Sequence, residues 1–473
     1  MKALININPS PEQMTLFARP SAGVEVIRGA AGSGKTTTAL LKLRSSAGFY
    51  LNRVRKLPPE KQEKVNILVL TFNRTLRGYI AELTERQFVD EPLVNLDFYT
   101  FNKWAKELTG AQSIINIKAT AAHLNYFAGS MKLDQEFVID EAMYVLGRFE
   151  PDKLDDYLTA RRDGRGITPR MEKPARQRLL DEVIRPYNAL KHAKRMVDWN
   201  DLAAVLSSKK MCRYDVIVVD ETQDFSANEI RAVLNQRSDD ATVTFVLDSA
   251  QRIYSRNFTW TEVGVTLRPE KSSTLQTNYR NTQEIAHFAS ALLSGITLDD
   301  NGTMPNFDKA RSNGVKPIVL LGDYLNQVRY AVDYIRRLDL QSESVAFLHP
   351  KIWFRDLKPR LLAQGLEYVE LTGDPKWPQG SENIALCSVH SSKGLEFDHV
   401  IMIGLDGSIL DVSAVDEDGE ATTDDYELSA RLRRLIAMGI GRARESVILG
   451  FKPSDTPDIM RFVPNDLYTE VKV

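Results

Sequence analysis

Gly29-Ala30-Ala31-Gly32-Ser33-Gly34-Lys35-Thr36 follows the spacing G-x-x-x-x-G-K-[ST], in which small residues precede one cation and one hydroxyl. Glycines at this spacing let successive backbone N–H groups turn inward around an anion. Gly29, Gly32, Ser33, Gly34 and Thr37 are therefore candidate phosphate contacts, Lys35 the neutralising charge, and Thr36 a ligand for Mg²⁺. A second constellation, Asp220-Glu221, ends the apolar run Val216-Ile217-Val218-Val219 and is followed by Thr222-Gln223-Asp224. Two adjacent carboxylates suit phosphoryl transfer because metal and attacking water occupy different positions. Asp220 is placed to hold Mg²⁺ through water and Glu221 to polarise the nucleophile. Each pattern alone also occurs in ordinary loops and strand ends, but the pair specifies a phosphoryl-transfer site.

Chemistry of this kind needs a rigid frame. Val24, Val26 and Ile27 read as the strand that delivers the glycine-rich loop, and Thr37 to Leu43 as the helix whose N-terminus faces phosphate. Further apolar runs at Ile67-Leu68-Val69-Leu70, Val243-Thr244-Phe245-Val246-Leu247, Val345-Ala346-Phe347-Leu348 and Val400-Ile401-Met402-Ile403 alternate with helical segments, the pattern of buried parallel strands in α/β layers. Residues 106–194 instead carry helical apolar spacing and no comparable β-rich run, which predicts a helical insertion. Within it Arg161, Arg162, Arg165, Arg170, Lys173, Arg176 and Arg178 form a basic segment that reads first as a solvated loop and second as a phosphate contact. Asp406 to Asp425 is acidic and reads as an exposed connection.

Composition narrows the class. The 473 residues are 43% hydrophobic and 26% charged, which is ordinary globular protein. Lys+Arg at 61 nearly balance Asp+Glu at 63, so a nucleic-acid surface must be a local patch. Two cysteines, Cys212 and Cys387, read as small core residues of a reducing compartment. No apolar run reaches about 18 residues and no signal-peptide pattern opens the chain, so a cytoplasmic protein without membrane contact is expected.

With both phosphate-site elements in hand, the sequence resembles the UvrD/Rep-like superfamily 1 DNA helicases over almost its whole length. Ser10-Pro11-Glu12-Gln13 looks like the family's adenine-reading motif and Thr71-Phe72-Asn73-Arg74-Thr75-Leu76 like its first single-strand-binding motif. Asp248-Ser249-Ala250-Gln251-Arg252-Ile253-Tyr254 resembles the coupling motif, and Asn278-Tyr279-Arg280 the arginine motif that opens a second core. Ser388 to Phe397 is close to T-x-H-x-x-K-G-L-E-F, and Gly441-Arg442-Ala443-Arg444 falls where the family has its last arginine motif. Thr37, Leu247, Ser388 and Gly441 depart from the usual Arg, Gly, Thr and Thr, without removing a phosphate-contacting group.

The resemblance implies two RecA-like P-loop NTPase cores with parallel sheets and one helical insertion in the first. The expected units are residues 1–105 and 195–265 for the first core, 106–194 for the insertion and 266–473 for the second core. About a hundred residues separate Arg280 from His390, too few for the second insertion of larger relatives. ATP and Mg²⁺ are the implied cofactors. Gln13 and Tyr279 would hold adenine, Glu396 would lie near the ribose, Gln251 would sense the γ-phosphate, and Arg280 and Arg442 would act as arginine fingers. Single-stranded DNA would meet Phe72, Asn73, Arg74, Thr100, Phe101, Arg252, Tyr254, Arg256, Trp260, His390 and Lys393, with aromatic faces for bases and cations or hydroxyls for phosphates. A 3′-to-5′ translocase or helicase acting on single strands or a 3′-tailed duplex is the first expectation. The alternative is a DNA-sensing ATPase subunit that switches a partner such as a nuclease.

Overall fold

The computed structural model describes residues 9, 11–17, 21–29, 33–71, 91–162, 171–248, 258–275, 281–296, 313–354, 356–371, 382–393, 395–407, 423–456 and 458–473. Two sheets carry the fold. The first has six strands in the order β3-β2-β4-β5-β1-β6, with β1 Gly23–Gly29, β2 Val65–Thr71, β3 Val94–Thr100, β4 Tyr214–Val219, β5 Arg237–Asp248 and β6 Ser272–Leu275. The second has seven in the order β13-β7-β12-β11-β8-β10-β9: β7 Ile318–Leu321, β8 Val345–His349, β9 Val369–Leu371, β10 Ile384–Ser388, β11 Phe397–Met402, β12 Ala443–Phe451 and β13 Thr469–Lys472. Every pairing in both sheets is parallel. The chain therefore folds as two RecA-like α/β cores, because apolar strands such as Val216 to Val219 are covered on both faces and leave no polar edge to alternate.

β6 enters the first sheet beside β1, with Val26 opposite Ser272 and Gly29 opposite Leu275. First-core structure thus runs to residue 275, past the boundary expected at 265, because these residues complete the sheet before the chain crosses over. The long helix behind the glycine-rich loop spans Lys35–Arg55 and buries Ala39, Leu40, Leu43 and Ala47. Its core is continuous with that of the second sheet through Leu348, Ala385, Cys387 and Val389, so one apolar layer joins the cores.

Between β3 and β4 the chain is helical: Phe101–Thr109, Ile117–Ala128, Gln135–Arg148, Lys173–Arg178, a π-helical turn Leu179–Ile184, Arg185–Lys194 and Trp199–Ser208. Leu124, Val138, Val145, Tyr157, Leu180, Val183 and Tyr187 form a hydrophobic cluster of its own. The basic segment is bound into this unit. Arg162 grips the fully buried Glu141 in a bidentate pair, both contacts at 2.8 Å, and Tyr157 donates to the same carboxylate at 2.6 Å. Arg176 donates to the carbonyls of Met171, Tyr157 and Ala160, and Arg178 pairs with Glu182. Arg165 and Arg170 lie outside the described residues, as does most of the acidic stretch, 408–422. Cys387 is buried and Cys212 half-buried, both as free thiols. Among the described residues no helix is long and apolar enough to cross a membrane.

Candidate nucleotide site at the junction of the cores

Gly29 closes β1 where a side chain could not fit, since an added Cβ would meet Ser33 Oγ and lie 2.8 Å from Lys35 Cγ. Gly34 takes φ +75°, a left-handed conformation that favours glycine, and the helix starts at Lys35. Ser33 is fully buried, and its Oγ has no hydrogen-bond partner among the described residues. Gln13, on the short helix Pro11–Phe17, is buried and donates from Nε2 to the Gly34 carbonyl and to Thr38 Oγ1, both at 3.0 Å. The expected adenine reader is thus also a brace for the loop. Behind it Lys42 spans Glu25 at 2.6 Å and the Leu16 carbonyl at 2.7 Å, fixing the short helix to the long one.

The carboxylates stand opposite. Asp220 follows β4 directly, and its Oδ2 accepts from Thr36 Oγ1 at 2.9 Å while Oδ1 accepts from the Glu221 amide at 2.9 Å. Glu221 sits at φ +54°, uncommon for a residue with a side chain, so the chain stores strain where the two carboxylates diverge. Gln223 Nε2 donates to Glu221 Oε2. From the second core Lys393, itself buried, reaches Asp224 and lies 3.4 Å from Glu221 Oε2.

Charge at this junction is uneven. Burial and the neighbouring Glu221 push the Asp220 carboxyl up to about 6. Burial alone would raise Glu221 as well, but Lys393, Lys35 and Arg442 together outweigh it and hold that carboxyl below its ordinary value. Arg442, buried between the last long helix and β12, therefore brings its charge to bear on the first core's carboxylate. Asn281, also buried, donates from Nδ2 to the carbonyls of Gly441 at 3.3 Å and Ala443 at 2.5 Å, holding the backbone on either side of Arg442.

Other sequence-derived positions fall differently. Lys393, read as a DNA contact, is occupied by the first core's carboxylates, because a buried ammonium needs counter-charge. Phe101 is buried edge-on to Trp104 and Phe225, and Trp260 lies half-buried 5.1 Å from the Phe245 ring, so both rings serve as packing within the first core. Thr100 ends β3, Thr37 lies in the first turn after the loop, Glu396 is half-buried ahead of β11, and His390 is exposed in the turn after β10. Gly32, Phe72, Asn73, Arg74, Gln251, Arg252, Tyr254, Arg256, Tyr279 and Arg280 lie outside the described residues. Asp224 had no assigned part in the sequence reading. Its partner lies 169 residues away, beyond what local spacing can reveal.

Residues 15–257, just over half of the chain, match the AAA domain family (AAA_19), and the chain belongs to that family. It is a P-loop protein, and that membership implies nucleotide binding. No protein of curated function matches it. A solved structure similar to it is the C-terminal domain of a "possible" DNA helicase from Lactobacillus plantarum WCFS1, 19% identical over 41% of this chain and 99% of that one, with a TM-score of 0.29. The residues present fit a nucleoside triphosphate with Mg²⁺. The loop cannot accept side chains at Gly29 and Gly34, Ser33 Oγ is buried with an open valence among the described residues, and the Thr36–Asp220 pair offers two oxygen donors.

Proposed function

We propose that the protein is an ATP-dependent translocase or helicase on single-stranded DNA, moving 3′ to 5′ and hydrolysing ATP between its two cores. The observation that carries this reading is the junction itself: Thr36, Asp220 and Glu221 come from the first core, while Lys393 and Arg442 approach the same carboxylates from the second. A site completed only when two cores meet can couple hydrolysis to their relative motion.

Lys35 and the loop amides would hold the phosphates, and Thr36 and Asp220 would hold Mg²⁺, which neutralises phosphate charge. Glu221, kept ionised by its cationic neighbours, would accept the proton of the attacking water. Arg442, with Arg280 by resemblance, would offset charge that grows on the γ-phosphate oxygens. Gln13, Tyr279 and Glu396 would orient the nucleoside, Gln251 would report the γ-phosphate, and the DNA track would run over Phe72 and Tyr254.

The test is ATP turnover with and without single-stranded DNA across a salt series. Stimulation of at least about tenfold is expected, with an affinity that falls steeply as salt rises. Unstimulated turnover, or a salt-insensitive affinity, would overturn the reading. One observation favours the second reading, a DNA-gated ATPase that switches a partner. Arg162, Arg176 and Arg178, the basic segment's candidates for gripping a duplex, are engaged inside the insertion. A dilute monomer should then unwind long 3′-tailed duplexes poorly while translocating on single strands.

A further inference from the structure

In parallel α/β sheets ligands gather at the carboxyl ends of the strands. On the second core β10 leads from this rim into the turn bearing Lys393, already committed to the first core. Farther along the same rim, after β8, β11 and β7, the chain builds a second feature. His349, the last residue of β8, is buried, and burial lowers its pKa, so its ring is neutral. Its Nδ1 accepts from the amides of Lys351 at 3.1 Å and Trp353 at 3.2 Å. That turn holds Ile352 at φ +54°, a strained conformation for a β-branched residue. Trp353 is thereby laid on Tyr324, ring centroids 4.5 Å apart and planes 26° from parallel. Gly404 lets both rings descend, because a Cβ there would lie 3.0 Å from Tyr324 and 3.3 Å from Trp353.

The shelf faces outward. Trp353 is 38% exposed, Ile352 50% and Leu325 49%. Strain held in place to display an indole on the surface is unneeded for packing, since Phe354 and Leu357 already fill the core beneath. Its electrostatic setting is acidic. Asp323 precedes Tyr324, and burial with the Asp356 charge pushes the Tyr324 phenol up to about 12. Asp406 is raised by burial and by Asp455 and Asp323, which share its field, while Lys452 and Lys351 supply opposing charge.

We propose that the Tyr324–Trp353 shelf is a docking site for an arginine-bearing segment of a protein partner. An indole face with carboxylates at its margin matches a guanidinium, which stacks flat on the ring and pairs with the acids bidentately, where an ammonium is a point charge with neither the planar stack nor the fork. The same carboxylates repel a phosphate backbone, so charge complementarity favours a basic protein segment over a nucleic acid. This inference does not rest on the translocase reading, because it is argued from Tyr324, Trp353 and their neighbouring carboxylates, none of which belongs to the nucleotide junction.

The test titrates the full-length protein with the peptide acetyl-Gly-Arg-Gly-Arg-Gly-amide, following tryptophan fluorescence and calorimetry, against versions with lysine or citrulline replacing arginine. Saturable binding of the arginine peptide, weaker binding of the lysine peptide and none of the citrulline peptide are expected. Trp353→Ala should weaken the arginine peptide about tenfold or more, and Asp323→Asn with Asp356→Asn severalfold, while oligo-dT affinity and ATP turnover stay unchanged. The asparagine variants keep the shelf's packing, so they read charge even if the alanine variant folds poorly. Equal affinity for all three peptides, no saturable binding, or undiminished binding by every variant would overturn the proposal. Loss of oligo-dT affinity in Trp353→Ala would overturn it in favour of a nucleic-acid contact.

Discussion

Buried charge is handled in two ways by this chain. In the helical insertion Glu141 meets Arg162 and Tyr157, and Arg148 meets Glu262 through contacts at 2.7 and 3.0 Å, so each ion finds counter-charge in or beside its own unit. At the junction Glu221 and Asp224 belong to one core, and Lys393 and Arg442 belong to the other. The same residue types serve a scaffold where the partners are local and a site where they arrive from across a cleft. A buried pair whose members can separate stores a conformational preference, whereas one fixed within a unit stores only stability.

Substitutions at the junction should separate binding from turnover most sharply. Lys35→Ala should abolish turnover and also weaken nucleotide binding, while Glu221→Gln should abolish turnover and leave ATP trapped, as measured by filter retention of labelled nucleotide. Equal loss of affinity in both would remove Glu221 from the role of base. Arg442→Ala should lower DNA-stimulated turnover by about a hundredfold or more while nucleotide affinity moves little, because the charge it opposes develops during reaction. Normal turnover in this variant would mean that its position beside Glu221 is structural.

In the insertion the sign of the effect changes. Arg162→Ala would remove both guanidinium contacts to the fully buried Glu141 carboxylate, at a cost of about 3–5 kcal/mol, seen as a lower melting midpoint with nucleotide affinity unchanged. If it instead weakened DNA binding without destabilising the protein, the basic segment would be a contact surface after all. Arg178→Gln removes an exposed pair with Glu182 and should leave the midpoint where it is.

How much of this could be read from the chain follows from the range of the interactions. The strand–loop–helix around Lys35 and the strand before Asp220 were legible because each is a local pattern of apolar period and glycine placement. The described helices between β3 and β4 carry the same kind of local signal, an apolar period of helical spacing. The end of the first core was not, since Ser272–Leu275 is a polar, four-residue strand recruited by β1 and gives no apolar run to find. Nor was the fate of Lys393, or of the insertion's arginines. A lysine in a motif and an arginine in a basic run look available until the fold brings Asp224 or Glu141 to them, and both partners are remote enough in sequence that only tertiary packing decides.

Asn281 adds a mechanical consequence. It follows Arg280 in sequence and ties itself to the backbone on both sides of Arg442. The stretch that Asn281 opens and the backbone around Arg442 are thereby fastened to each other within the second core. Stretches tied in this way move as a piece, so a displacement of one is passed to the other through a buried amide.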